Sequence, residues 1–368
     1  MELTFAKDIP PFVVPEVEKQ RRTATAVWGD VAVFHPWNAY LAFGDLDMLE
    51  EQYTSAKAWI DFGIPRNKVG LWKRDNYQFG DWLDPLAPYG NAAAATTSAT
   101  LIADAYLVGG TELLANMAAA LNRTNDAEFY RKNRTTLATE FQRAWILGDG
   151  TVANETQTGL TLPLYFSLFA NQEQYNAAAK RLRSIIERNS YKVGTGFAGT
   201  HLLGLTMTKI NETSTFYKML SQTGVPSWLY QVVMGGTTTW ERWDSMLPDR
   251  SINPSDMTSF NHYAFGSIGN WMHRTIGGLS PATPGWKRIT VAPIPGANLT
   301  SAQIKYVSAY GTITSKWRIT DTGFYLAIDI PPNTSADVHL PGMNGAASTV
   351  TTVGSGKHEF FVPGVTSK

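Results

Sequence analysis

The 368-residue chain contains no cysteine. That excludes disulfides, thiolate nucleophiles and Cys-ligated zinc or iron–sulfur centres together. It has no excess of charge of either sign, with 31 Lys and Arg against 31 Asp and Glu. A neutral chain offers no field to hold a phosphate backbone, which argues against nucleic acid as the main partner. Charged residues of any kind are scarce, 17% against about 25% in an ordinary domain. No apolar run reaches the roughly 18 residues that a membrane-crossing helix needs, so no membrane partner is expected. The opening Met1-Glu2-Leu3-Thr4-Phe5 has no basic stretch followed by an apolar one, and no signal peptide is visible in this chain.

Rings are abundant instead: 12 Trp, 15 Tyr and 17 Phe. Low charge with many rings suits contact with neutral, hydroxylated ligands, and sugars are the obvious class. Asn-x-Ser/Thr sequons occur at Asn122, Asn133, Asn154, Asn211, Asn298 and Asn333. Their number favours a secreted, extracellular glycoprotein whose own N-terminus lies beyond this chain.

Two patterns divide the sequence. From about residue 29 to 275 the apolar spacing is mostly helical. Leu46, Leu49, Tyr53, Ala56 and Ile60 form one stripe, with Asp45 before it and Gly63 and Pro65 after it. Further helices are expected near 30–43, 93–108, 111–121, 126–145, 172–188, 212–223, 226–234 and 259–275. Gly109-Gly110, Asn122 to Asn125 and Gly148-Asp149-Gly150 read as the turns between them. Beyond Pro281, Pro284 and Gly285 the pattern becomes short and alternating, as in Ile289-Thr290-Val291, Ile304–Val307, Ile313–Trp317, Phe324–Ile328 and Val338-His339-Leu340. Helices followed by strands give an α domain, 1–280, and a β-sandwich domain, 281–368. Ile9–Pro15, with its three prolines, is expected to be extended.

Carboxylates meet aromatic rings in three places: Trp28-Gly29-Asp30, which leads to His35-Pro36-Trp37; Phe79-Gly80-Asp81-Trp82-Leu83-Asp84; and Gly235–Asp244, which holds Trp240-Glu241-Arg242-Trp243. A ring can cover the apolar face of a pyranose while a carboxylate accepts hydroxyl protons or supplies acid or base. Gly-Asp is also an ordinary turn and helix cap, so Asp30 and Asp81 have a second reading. A fourth block, Met257–Tyr263, carries His262. It has no metal-ligating partner one helical turn on, so no metal is expected and a ligand contact or core hydrogen bond is the better reading.

These blocks carry a resemblance. Thr237–Trp243 followed by Met257–Tyr263 resembles the signature pair of the inverting α-L-rhamnosidase family. Trp28-Gly29-Asp30, Gly80–Leu83 and Thr195–Thr200 resemble further blocks in the same order, and Pro284–Ile289 resembles the opening of the C-terminal β domain. The resemblance implies mainly α plus β: an incomplete (α/α)₆ toroid followed by a C-terminal β-sandwich, without a cofactor. It implies that Glu241 is the general base and that Trp28, Asp30, Asp81, Trp82, Trp240, Trp243 and His262 contact the rhamnose of a glycoside or oligosaccharide. Fungal members are secreted and glycosylated, which agrees with the sequons. The family's general acid is a Glu in an Asp-Glu-Arg block, and no such tripeptide occurs here. Inversion needs two carboxylates. The expectation is therefore a truncated rhamnosidase of impaired activity. The alternatives are a non-catalytic carbohydrate-binding remnant, or another toroid glycosidase using Asp81 or Asp30 as acid.

Overall fold

Helices in this chain are either striped or buried nearly all round. The computed structural model describes residues 9–13, 23–341 and 349–365. In α2 (Leu46–Ala58) the buried residues are Leu49, Tyr53 and Ala56, and in α6 (Gln172–Arg188) they are Ala178, Leu182 and Ile186. α4 (Thr124–Trp145) likewise buries a single stripe that includes Tyr130, Leu137 and Phe141. In contrast, α3 (Ala99–Ala120), α5 (Gln157–Tyr165) and α7 (Phe197–Lys209) are buried on most of their circumference. α3 packs on α4 and α5, α5 on α6 and α7, and α7 on α8 (Thr213–Leu220). Striped and buried helices therefore alternate along the chain, an outer layer over an inner one. Side chains cap α3 and α5: Ser98 accepts from Leu101 N and Thr156 from Gly159 N.

Two helical expectations are corrected. Residues 93–108 and 111–121 do not form two helices with a turn at Gly109-Gly110; one helix, α3, runs from Ala99 through both glycines to Ala120, and 93–98 is irregular. Gly109 serves packing, because a Cβ there would lie 2.4 Å from the Phe166 ring. The helix expected over 259–275 starts only at Ala264, and 259–263 is irregular.

The described residues up to Trp37, with Leu46–Gly266, form one compact unit; Asn38–Asp45 and the described residues from Ser267 form a second. The second unit holds two four-stranded sheets. One has the order β1 (Leu279–Pro281), β2 (Arg288–Val291), β6 (Ser335–Leu340), β7 (Thr349–Val353); the other has β3 (Ser301–Ser308), β4 (Gly311–Thr320), β5 (Gly323–Ile330), β8 (Gly356–Pro363). All pairs are antiparallel except β2 with β6. Alternate residues are buried, among them Ile289, Val291, Ile313, Trp317, Leu326, Ile328 and Val338. Trp317 Nε1 donates to Ile276 O at 2.7 Å, and Trp286 stacks on Tyr306 at 4.2 Å. The strand-like runs named above fall in β2 to β6. β1, β7 and β8 went unnamed there.

Candidate active site

Two sequence blocks more than a hundred residues apart explain each other. The Asp81 carboxylate is fully buried. Its Oδ1 accepts from Ala198 N at 2.9 Å and Gly199 N at 3.0 Å; its Oδ2 accepts from Gly196 N at 2.9 Å and from the Thr158 hydroxyl. These amides open α7, where backbone N–H groups lack helical partners and favour negative charge. The glycines of Thr195-Gly196-Phe197-Ala198-Gly199-Thr200 permit the approach. A Cβ on Gly196 would lie 2.3 Å from Asp81 O, and one on Gly199 2.2 Å from Thr158 Oγ1. Phe197 N donates to Trp82 O at 2.9 Å, which sets those two residues side by side. Burial pushes the Asp81 carboxyl up to about 6, against the donors that pull it down. The expectation that Asp81 touches a sugar is corrected: four protein donors take up its oxygens and none of it is exposed.

Asp30 is placed in the same way. It is 2% exposed, with Oδ1 taking Trp59 Nε1 at 2.9 Å and Oδ2 taking Val27 N at 2.7 Å. Its carbonyl accepts from Phe34 N at the start of α1 (Val31–Phe43). Burial raises its carboxyl to about 6 as well. Asp30 stands at the N-terminal boundary of α1, but its side chain ties the Val27 turn to Trp59 and caps no helix amide, and the sugar-contact expectation is corrected on the same ground as for Asp81. What it secures is the neighbouring turn. Val27 has φ 68°, and Trp28 comes out half-buried with its ring 4.4 Å from Phe79.

The Gly235–Asp244 loop works the other way. Trp240 and Trp243 are each 2% exposed. Trp240 N donates to Gln231 Oε1 at 3.1 Å, and its ring meets Phe260 edge-on at 5.3 Å. Trp243 Nε1 donates to Thr195 O at 2.9 Å, and its ring stacks on Phe265 at 4.0 Å. Both indoles were expected on the sugar; both are sealed inside. Between them Glu241 is half-buried. Its N–H donates to Ser259 O at 2.8 Å, Ser259 N donates back to Oε2 at 3.3 Å, and His262 N donates to Thr239 O at 2.8 Å. The Glu241 and His262 segments are thus paired through their backbones.

A row of rings joins the loops. Trp28 contacts Trp82 at 6.2 Å and Phe197 at 6.4 Å; Phe197 contacts His262 at 5.2 Å; His262 lies nearly parallel to Tyr263 at 5.5 Å. Phe79 packs on both Trp28 and Trp82. The structure therefore sets Trp28, Trp82 and His262 in one row of rings through Phe197, with Glu241 on the segment paired to His262. Phe197, the hub of this row, was not singled out. The signal was present: it is the large residue between two glycines in a block already noted. Tyr263, at the end of the row, is 88% exposed. Half-exposed rings supply apolar faces, and Glu241 supplies a half-buried carboxyl group.

Comparison with known proteins decides the family. Residues 2–276 match the bacterial α-L-rhamnosidase 6 hairpin glycosidase domain, and residues 278–355 match the bacterial α-L-rhamnosidase C-terminal domain. The chain belongs to the α-L-rhamnosidase family. Curated relatives include an α-L-rhamnosidase of Streptomyces avermitilis, 36% identical, aligned over 92% of this chain and 33% of the relative. Another is an α-L-rhamnosidase of Formosa agariphila, 35% identical, over 92% of this chain and 36% of the relative. Among solved structures, the native α-L-rhamnosidase of Aspergillus terreus is 54% identical with a TM-score of 0.95, over 97% of this chain and 41% of that one. The Streptomyces avermitilis enzyme complexed with L-rhamnose is 33% identical with a TM-score of 0.88, over 97% and 35%. The chain thus spans about a third of the length of the curated rhamnosidases it matches. The helical unit is a six-hairpin glycosidase domain, and the β unit is the rhamnosidase C-terminal domain.

Proposed function

We propose that this chain carries the base side of an inverting α-L-rhamnosidase site acting on terminal, non-reducing α-L-rhamnose of a glycoside or oligosaccharide. The observation that carries the reading is Glu241 itself, a half-buried carboxylate between two sealed indoles, on the segment paired with that of His262. In inversion one carboxylate takes a proton from water as that water attacks the anomeric carbon, and a carboxylic acid protonates the departing oxygen on the other face. Glu241 takes the first role. Trp28, Trp82, Phe197 and His262 hold the sugar, rings against its apolar faces. Asp30 and Asp81 are too enclosed by protein donors to serve as the acid, and no Asp-Glu-Arg block occurs in the chain.

Substrates with different leaving groups test this. A p-nitrophenolate departs with little protonation, so p-nitrophenyl α-L-rhamnoside is turned over slowly by base alone. An alkyl or sugar rhamnoside is slower by the 10²–10⁴ that acid catalysis typically contributes. Equal rates on the two would show that the chain holds its own acid. Absence of L-rhamnose binding by calorimetry would overturn the site. The sequons support a further part of the reading, an extracellular glycoprotein, and finding the native protein in the cell pellet and not the medium would refute it.

A further inference from the structure

The six sequons fall into two structural classes. Asn122, Asn211, Asn298 and Asn333 are exposed and left-handed, with φ of 56°, 61°, 59° and 61°. Asn133 and Asn154 are half-buried and are not left-handed.

In the first class the turn alone accounts for the asparagine. Asn122 follows α3, where Asn122 N donates to Ala119 O and Arg123 N to Ala118 O. Asn211 follows α7 with the same pattern, Asn211 N to Thr208 O and Glu212 N to Met207 O. Both close a helix with one left-handed residue, a place where asparagine is second only to glycine. The sequon threonines, Thr124 and Thr213, open the next helices. Asn298 sits in the turn closed by Leu299 N to Gly296 O, and Asn333 follows Pro331-Pro332 ahead of β6. Each amide stands clear of the fold.

The second class is occupied by structural work. Asn154 Oδ1 accepts from Ser98 N at 2.5 Å, at the start of α3. Its sequon hydroxyl, Thr156 Oγ1, accepts from Gly159 N and lies 2.6 Å from Thr97 Oγ1. A Cβ on Gly159 would lie 2.1 Å from Asn154 O, so the chain is crowded there. Asn133 lies half-buried inside α4, and its sequon hydroxyl, Thr135 Oγ1, donates to Arg131 O at 3.1 Å within that helix.

We infer that Asn122, Asn211, Asn298 and Asn333 are N-glycan acceptors and that Asn133 and Asn154 are not. The inference rests on the extracellular reading above. In the transfer, the side-chain Nδ2 bonds to the anomeric carbon of a lipid-diphosphate-linked oligosaccharide. The carbon–oxygen bond to the diphosphate breaks, and Nδ2 gives up one proton as the lipid diphosphate departs. A left-handed exposed asparagine carries the product without disturbing a helix or a core contact.

The test expresses the whole chain behind a secretion leader in yeast. Secreted protein is treated with peptide N-glycosidase in heavy-oxygen water, and peptides are mapped by mass spectrometry. Cell-free translation with microsomes serves if none is secreted. Label at the four turn sites and none at Asn133 or Asn154 is expected. A bare turn site, or label at Asn133 or Asn154, overturns the assignment. Asn122→Gly and Asn211→Gly keep the left-handed turn, so each variant should lose one glycan on a gel with its melting temperature unchanged. Because the leader supplies entry, occupancy is read whatever the natural location, which the medium-and-pellet comparison tests separately.

Discussion

The loops around Asp81 and Glu241 are made of the same residue types and use them in opposite ways. In the first, the carboxylate is sealed and the rings beside it, Phe79 and Trp82, are half-exposed. In the second, Trp240 and Trp243 are sealed and the carboxylate between them is half-exposed. Each arrangement follows from what lies underneath. The start of α7 offers three amides that only an acceptor can satisfy. The Glu241 loop lies over Phe265, Phe260 and Thr195 O, which an indole satisfies by stacking and one hydrogen bond. A tryptophan beside an acid therefore says that a loop is built for something, and the partners beneath decide which member is presented.

The comparison breaks most visibly at Asp81. Asp81→Ala leaves three buried amides and a hydroxyl without an acceptor, at about 1–3 kcal/mol each, so a loss of about 4 kcal/mol or more is expected in urea unfolding. A change below about 1 kcal/mol would mean that the carboxylate is no anchor. Gly196→Ala should be comparably damaging, because its methyl would meet two carbonyl oxygens at 2.3 and 2.4 Å.

The next effect is one of pH. Asp30 and Asp81 bind protons more tightly folded, near 6, than their ordinary value of 3.8. Their contribution to stability is therefore full below about pH 4 and is lost as pH rises through about 6. Each shift is equivalent to roughly 3 kcal/mol at most. Asp104, raised by burial, acts in the same direction. Buried His201, held below its ordinary value by burial, acts the other way below pH 6.5, so the fall expected between pH 4 and 6.5 is the share of the three carboxyls less that of one imidazole. Asp81→Ala should make stability fall less steeply over that range, and an unchanged slope in the variant would refute the burial argument.

A smaller effect sharpens the other loop. Trp243→Phe keeps the stack on Phe265 and loses the bond to Thr195 O, so about 1 kcal/mol is expected. The consequence for ligand should be larger than the consequence for stability, because the Thr195 loop also positions Phe197. Weakened L-rhamnose binding with a nearly unchanged unfolding midpoint is the expected result. Unchanged binding would detach Trp243 from the site.

How much of this was legible in the sequence varied with the physics. Striped helices such as α2 and α6 announce themselves, because one face meets protein and the other meets water. α5 and α7 carry no stripe, since both are buried nearly all round. Missing α7 hid the role of Asp81, whose partners are the amides of that helix. The glycines of α3 read as a turn because the sequence does not show the Phe166 ring against Gly109. The strands β2 to β6 alternate and were visible; β7 follows residues outside the described set. Glu241, His262, Trp28 and Trp82 stand out in the sequence by chemistry and resemblance, and the fold leaves them partly exposed. Trp240 and Trp243 were misjudged because adjacency to an acid carries no information about which side faces in.

The account turns on Glu241 being the presented proton acceptor, and Glu241→Gln tests that most directly. The amide keeps the shape and cannot take the proton. The variant should lose the slow hydrolysis of p-nitrophenyl α-L-rhamnoside expected of the unaltered chain. Its unfolding midpoint and its affinity for L-rhamnose should stay the same. Hydrolysis at the original rate, or lost binding together with lost stability, would contradict the account: the first would put the base elsewhere, and the second would make Glu241 another anchor like Asp81.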